Sequence, residues 1–177
     1  MKGIIIYKGK YGATAQYARW LSEELNLPVF SSENSDQENL LAYDLLVIGT
    51  SVYIGKLQIA SWLKDHLPLI RNKKIFLFLV SATPPDENEK LQDYIKSGIP
   101  DQIRPNCQVF YLRGKMIVKD LSLKDRLLLK MGAWMVKDPQ ERKKMLTDFN
   151  SVQKENITGI VTAVKKYAGA GQPSLAL

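Results

Sequence analysis

Hydrophobic residues fall along this chain in two alternating arrangements. Short runs are apolar at nearly every position, and between them lie longer stretches that are apolar at every third or fourth. The first run covers residues 2–7, KGIIIY, and is followed at once by a loop with two glycines. Over residues 13–25, Tyr17, Ala18, Leu21 and Leu25 recur at helical spacing. Pro28-Val29-Phe30 reads as a short second strand. Residues 43–49 form the next apolar run and end in Thr50-Ser51. Ile59, Leu63 and Leu67, with Trp62 beside them, predict a helix that Pro68 closes. Residues 74–80, KIFLFLV, carry the strongest strand signal. A turn at Pro84-Pro85-Asp86 and a helix over residues 87–97 follow, then a strand over residues 108–112 that ends at Arg113-Gly114. Ile157, Ile160, Val161 and Val164 mark one face of a last helix over residues 152–167.

Strands apolar on both faces, alternating with amphipathic helices, imply a parallel sheet covered on both sides. Right-handed crossovers make it an open, doubly wound α/β sheet. Ligands then sit outside the carboxyl ends of the strands, where the strand order reverses. The loops after Tyr7, Gly49, Val80 and Leu112 are therefore the places to look for chemistry. The chain has 177 residues, 45% of them hydrophobic, which suits one core and not two. Residues 1–168 are expected to form a single domain with an insertion at about 115–150, and residues 169–177 a flexible tail.

Charge and cysteine content narrow the setting. A net charge of +7 points to anionic partners, but the lysines are scattered, which speaks against a nucleic-acid footprint. One cysteine, Cys107, allows no intrachain disulfide, so a reducing cytoplasmic setting is the simplest expectation. The N-terminal apolar run lacks a small-residue cleavage site and reads as a strand, not as a signal peptide.

The first loop is Lys8-Gly9-Lys10-Tyr11-Gly12-Ala13-Thr14. Its glycines permit close backbone approach, and the helix that starts near Ala13 turns unpaired amides into it, an arrangement that favours a phosphate. Lys8 or Lys10 can add charge and Thr14 a hydroxyl. An ordinary strand-to-helix connection with Thr14 as helix cap accounts for the same residues. The spacing of Gly9 and Gly12 fits neither a dinucleotide-binding fingerprint nor a P-loop.

Tyr7, Gly12 and Thr14 of this loop match the phosphate loop of the flavodoxin family, usually Tyr-Ser-Thr-x-x-Gly-x-Thr, which the segment resembles. Lys8 and Gly9 stand where that family places hydroxyl residues. The second loop, Gly49-Thr50-Ser51-Val52-Tyr53-Ile54-Gly55, resembles the ring-flanking loop of the flavodoxin-domain group that includes menaquinone-dependent protoporphyrinogen oxidase. The resemblance implies a flavodoxin-like sheet of order 2-1-3-4-5 with a helical insertion after the last strand, and FMN as cofactor. It also implies an FMN site made from Lys8, Gly9, Lys10, Tyr11, Gly12, Ala13, Thr14, Thr50, Ser51, Val52, Tyr53, Ile54, Gly55, Ser81, Ala82 and Thr83. An aromatic such as Tyr53 can stack on a flat flavin ring. Packing of Tyr53 on the following helix is the alternative.

The insertion has its own pattern. Ser122-Leu123-Lys124-Asp125 reads as a capping box. Leu123, Leu127, Met131, Trp134 and Met135 share one helix face, and Arg126, Lys130 and Lys137 lie on another. Such a helix suits an anionic membrane surface, one wall of a site for a flat hydrophobic substrate, or packing on the domain or a second subunit. The expected partners are thus a quinone or a redox partner protein, with peripheral membrane contact through residues 122–137 and homodimerisation as further options.

Other chemistry finds little support. His66, the only histidine, is expected at the surface, and with one cysteine it leaves no zinc site. Cys107 is expected to be an inert buried thiol. No acid/base carboxylate dyad is evident, and Ser51 lacks a nearby base. Three functions remain: an FMN-dependent oxidoreductase resembling the protoporphyrinogen oxidase, a flavodoxin-type electron carrier, or a binding domain without tight flavin.

Overall fold

The computed structural model describes residues 2–35, 40–83 and 88–170. The expected turn at Pro84-Pro85-Asp86, Glu87 and tail residues 171–177 lie outside this set. Five parallel strands form the main sheet: β1 (Gly3–Lys8), β2 (Val29–Ser31), β3 (Leu45–Tyr53), β5 (Lys74–Ser81) and β6 (Cys107–Arg113). They lie in the order β2-β1-β3-β5-β6, with the short β4 (Lys56–Leu57) antiparallel to the end of β3. Without β4 this is the expected order 2-1-3-4-5. Register runs Ile5 to Val29 and Val47, and Val47 to Phe76.

Period-two alternation sends successive residues of the central strands into two different cores, which is why β1, β3 and β5 carry apolar residues on both faces. Ile4, Ile6, Leu46, Ile48, Ile75 and Leu77 pack under α2 (Ala60–Asp65), α3 (Leu67–Ile70) and α4 (Asn88–Gly98). Ile5, Val47, Phe76, Phe78 and Val80 pack under α1 (Ala13–Leu25) and α7 (Thr158–Ala170). Gly49 fits this packing sterically: a Cβ there would lie 2.2 Å from the Phe78 ring on the neighbouring strand. Tyr17, fully buried in α1, donates to the Arg113 carbonyl at 2.7 Å and accepts from Asn156.

Three local expectations need correction. The helix closed by Pro68 is two helices: α2 ends at His66, and Pro68 sits in the first turn of α3, where its missing N–H costs nothing. His66 is buried, not exposed, with its ring stacked 4.3 Å from Trp62 and its Nδ1 2.8 Å from the Trp62 carbonyl. The last helix begins at Thr158 after a 3-10 turn at Lys154–Ile157, and it carries Gly169 and Ala170 of the expected tail.

Between β6 and α7 lies the insertion. It opens with β7 (Lys115–Met116), which pairs with β8 (Phe149–Asn150) at its far end, and holds α5 (Leu123–Met135) and α6 (Pro139–Met145). Among the described residues no helix is long and apolar enough to cross a membrane.

Candidate functional site

A cavity of about 520 Å³ opens at the carboxyl ends of β1, β3 and β5, beneath the insertion. That size is within the usual range for a small-molecule or cofactor site. Its inner wall comes from the strand-end loops and its outer wall from the insertion.

The first loop supplies a cradle. Gly12, at φ 83, is the N-cap of α1, and no side chain caps this helix end. The first helical bond runs from the Gln16 amide to the Gly12 carbonyl, so the amides ahead of Gln16 have no helical acceptor. The first turn carries no acidic residue to offset the positive end of the dipole. Thr14 is therefore not the helix cap. It lies within the first turn, 1% exposed, lines the cavity, and its hydroxyl bonds to no described residue. Gly9 makes room for it: a Cβ on Gly9 would sit 2.4 Å from Thr14 Oγ1. Any side chain at this position would collide with Thr14 in this conformation.

The second loop is a hairpin arm. β3 continues to Tyr53, and Ile54-Gly55 turn the chain into β4, with Tyr53 opposite Lys56. Both turn residues have positive φ, 48 for Ile54 and 70 for Gly55, as a two-residue hairpin turn of this hand requires. A β-branched residue in that conformation is strained, and Ile54 is 65% exposed at the cavity rim. Ser51, Val52, Tyr53 and Ile54 line the cavity. Thr50 does not; it is fully buried and accepts from the Ile59 amide at 3.2 Å. From the third loop, Ser81 and Ala82 reach the cavity, while the Thr83 carbonyl accepts from the Ser81 hydroxyl at 3.3 Å. Lys10, Tyr11 and Ala13 also line it, whereas Lys8 turns away to Glu33 at 3.7 Å.

Asp125 joins insertion to loops. Its amide donates to Ser122 Oγ at 3.2 Å, the forward half of the expected capping box. Its carboxylate, 7% exposed, instead accepts from Lys10 Nζ at 2.7 Å, from Tyr53 Oη at 2.6 Å and from Tyr11 Oη. Lys10 also lies over the Tyr53 ring, 4.4 Å from its centroid. The Lys10 ammonium, then the Tyr11 and Tyr53 hydroxyls, hold the Asp125 carboxyl well below the usual carboxylate range. The bonds to Asp125 and then Tyr53 raise Lys10 above its ordinary value.

The rest of the outer wall is Met116, Ile117, Leu121, Leu128, Leu129 and Met145, none named from sequence. Asp125, Leu128, Leu129 and Gly132 form the inner side of α5, and Leu121 precedes its cap. The opposite side carries the stripe expected on one face, and it is bare: Leu123, Leu127, Met131, Trp134 and Met135 are all exposed, Trp134 by 80%. Among the described residues no cluster could hold a metal ion. Burial pushes the Cys107 thiol up to about 12.

A doubly wound sheet of this order, with an anion cradle at its first helix and a cavity over its central strands, defines a mononucleotide-binding α/β protein. The sequence profile of the flavodoxin-domain family matches residues 4–143, and the chain belongs to that family. FMN is accordingly its cofactor, and it is an FMN-binding protein of flavodoxin type. The cradle at Gly12 to Thr14 and the cavity beside Tyr53 fit such a group. Among solved structures, oxidised flavodoxin 2 of Bacillus cereus is 18% identical, with 93% of this chain and 99% of that one covered and a TM-score of 0.48. The two-electron reduced flavodoxin of Megasphaera elsdenii is 15% identical over 63% of this chain and 84% of its own, at 0.47. A Lactobacillus acidophilus flavoprotein in complex with FMN is 18% identical over 63% and 91%, at 0.44. These scores lie below 0.5, and the family assignment rests on the sequence profile alone. Among curated proteins none matches.

Proposed function

We propose that the protein is an FMN-dependent oxidoreductase that takes electrons from a planar hydrophobic substrate and passes them to a quinone, similar to menaquinone-dependent protoporphyrinogen oxidase. FMN, when bound, supplies one- and two-electron transfer. The chain's part is to anchor the phosphate at the α1 N-terminus, keep water from the ring, and leave room beside it for a second flat molecule. One observation carries this reading: the outer wall of the cavity is a row of apolar insertion side chains, Met116, Ile117, Leu121, Leu128, Leu129 and Met145. An electron carrier needs an accessible ring edge. A substrate site needs an apolar enclosure of this kind.

The exposed face of α5 supports a place for the exchange at an anionic lipid surface, where quinones reside. Residues 119–148 carry eight basic against five acidic side chains, and Lys124 and Lys130 lie on the same helix as exposed Leu127, Met131 and Trp134. Apolar residues bordered by lysines suit a headgroup boundary. Trp134→Ser should release the protein from vesicles containing phosphatidylglycerol. A wild-type protein that ignores such vesicles and elutes as a dimer would reassign the face to a second copy.

A flavodoxin-type electron carrier is the second reading, favoured by family membership itself. Its net charge of +7 would then call for an acidic partner. The deciding experiment is turnover of protoporphyrinogen with menadione, set beside reduction by a flavodoxin reductase. Porphyrinogen oxidation supports the enzyme. Reduction by the reductase with no porphyrinogen turnover under any quinone condition supports the carrier.

A further inference from the structure

We infer that Lys115, from the first strand of the insertion, is the cation that binds the phosphate of FMN. Three lysines lie close to the cradle in sequence or space. Lys8 is drawn off to Glu33 on the far side of β1. Lys10 is held by Asp125 and Tyr53. Lys115 makes no ion pair or hydrogen bond with any described side chain, and its Nζ lies 3.8 Å from the point a Cβ on Gly12 would occupy. It is thus an uncommitted ammonium at the open end of α1.

Two further observations point to an anion here. Thr14 is 1% exposed and turns an unpartnered hydroxyl into the same cavity. Lys115 itself lines that cavity. Gly12 has no side chain to separate the ammonium from the helix amides, and its positive φ makes any other residue costly. Amides, a buried hydroxyl and an ammonium converge, and a phosphate dianion would satisfy all three.

The loop itself supplies no other committed side-chain donor beside Thr14: Lys8 is turned to Glu33, and Gly9 admits no side chain without striking Thr14. A charge supplied from the insertion fills that place. Lys115 is fixed in place because Gly114 before it donates to the Ser81 carbonyl at 2.9 Å and Lys115 pairs with Asn150 across β7 and β8.

The inference rests on FMN as the ligand, and the test separates the two. Apoprotein stripped of flavin is titrated with FMN, riboflavin and inorganic phosphate, with flavin fluorescence as readout for the first two and competition against FMN for the third. Wild-type protein should prefer FMN to riboflavin, and inorganic phosphate should compete. Lys115→Gln should weaken FMN about tenfold or more, leave riboflavin unchanged, and flatten the salt dependence of FMN binding. Lys115→Arg should restore most of the affinity, and Lys8→Gln should change nothing. Equal losses for FMN and riboflavin, or none, in Lys115→Gln would overturn the assignment. Wild-type protein that does not distinguish FMN from riboflavin would instead remove the phosphate site itself.

Discussion

Gly9→Ala isolates the cradle by adding a single methyl. Gly9 does not occupy the left-handed region, so alanine meets no backbone penalty and the effect is steric. The new Cβ would lie 2.4 Å from Thr14 Oγ1 and 2.6 Å from Thr14 Cβ, about 1 Å inside ordinary contact. Thr14 is 1% exposed and β-branched, with few alternative rotamers. Overpacking of this kind costs about 1–3 kcal/mol. In a domain of this size 2 kcal/mol lowers Tm by about 4–8 °C. On our proposal that Thr14 donates to the phosphate, displacing its hydroxyl should remove a hydrogen bond worth about 1–3 kcal/mol, or about 5–150-fold in FMN affinity. Thermal melts of the apoprotein and FMN fluorescence titration measure the two effects separately. Gly9→Thr, which adds a branched side chain at the same point, should be worse than Gly9→Ala. A Gly9→Thr protein that melts like wild type and binds FMN as well or better would refute the reasoning.

Three more outcomes are expected. Asp125→Asn should loosen α5 from the loops, seen as faster amide exchange over residues 123–129. Its Tm deficit relative to wild type should be flat through neutral pH. It should shrink in acid as pH falls below the ordinary carboxylate value of about 3.9 toward the depressed folded value, and in alkali as pH rises past about 10.4 toward the raised value of Lys10. Ile54→Asn should stabilise the apoprotein by about 1 kcal/mol, because asparagine accepts positive φ that isoleucine resists, and a melt shows it. Cys107, with its thiol pushed up to about 12, should react with iodoacetamide at pH 8 far more slowly in native than in urea-unfolded protein.

The sheet is legible because both faces of its central strands β1, β3 and β5 are buried, which writes apolar runs such as KIFLFLV. Helix ends were less so. Leu67 keeps the spacing of Ile59 and Leu63, and nothing local says that the chain restarts at His66. Position at strand ends marks most of the lining residues of these loops, but not Thr50, whose hydroxyl faces inward and accepts from the Ile59 amide. Asp125 was seen only as a cap residue. Its partners Lys10 and Tyr11 lie 115 and 114 positions away, and no periodicity reports a contact of that range. Lys115 could have been noticed as the cation directly after a strand-end glycine, in the loop after Leu112 already marked for inspection. The hairpin at Ile54-Gly55 escaped because isoleucine stands where asparagine or aspartate usually signals that turn.

The insertion leaves and rejoins the sheet at almost one point. The Gly114 carbonyl accepts from the Ser151 amide at 3.1 Å, and Lys115 lies opposite Asn150. Residues 115–150 are therefore a cassette whose two ends meet at one clasp, with Asp125 as its further tie to the strand-end loops. It could be exchanged for the corresponding segment of another such protein, or cut back to a tight turn, with little penalty for closing the gap. Grafts of this kind would change what the cavity admits while the strands beneath kept their register.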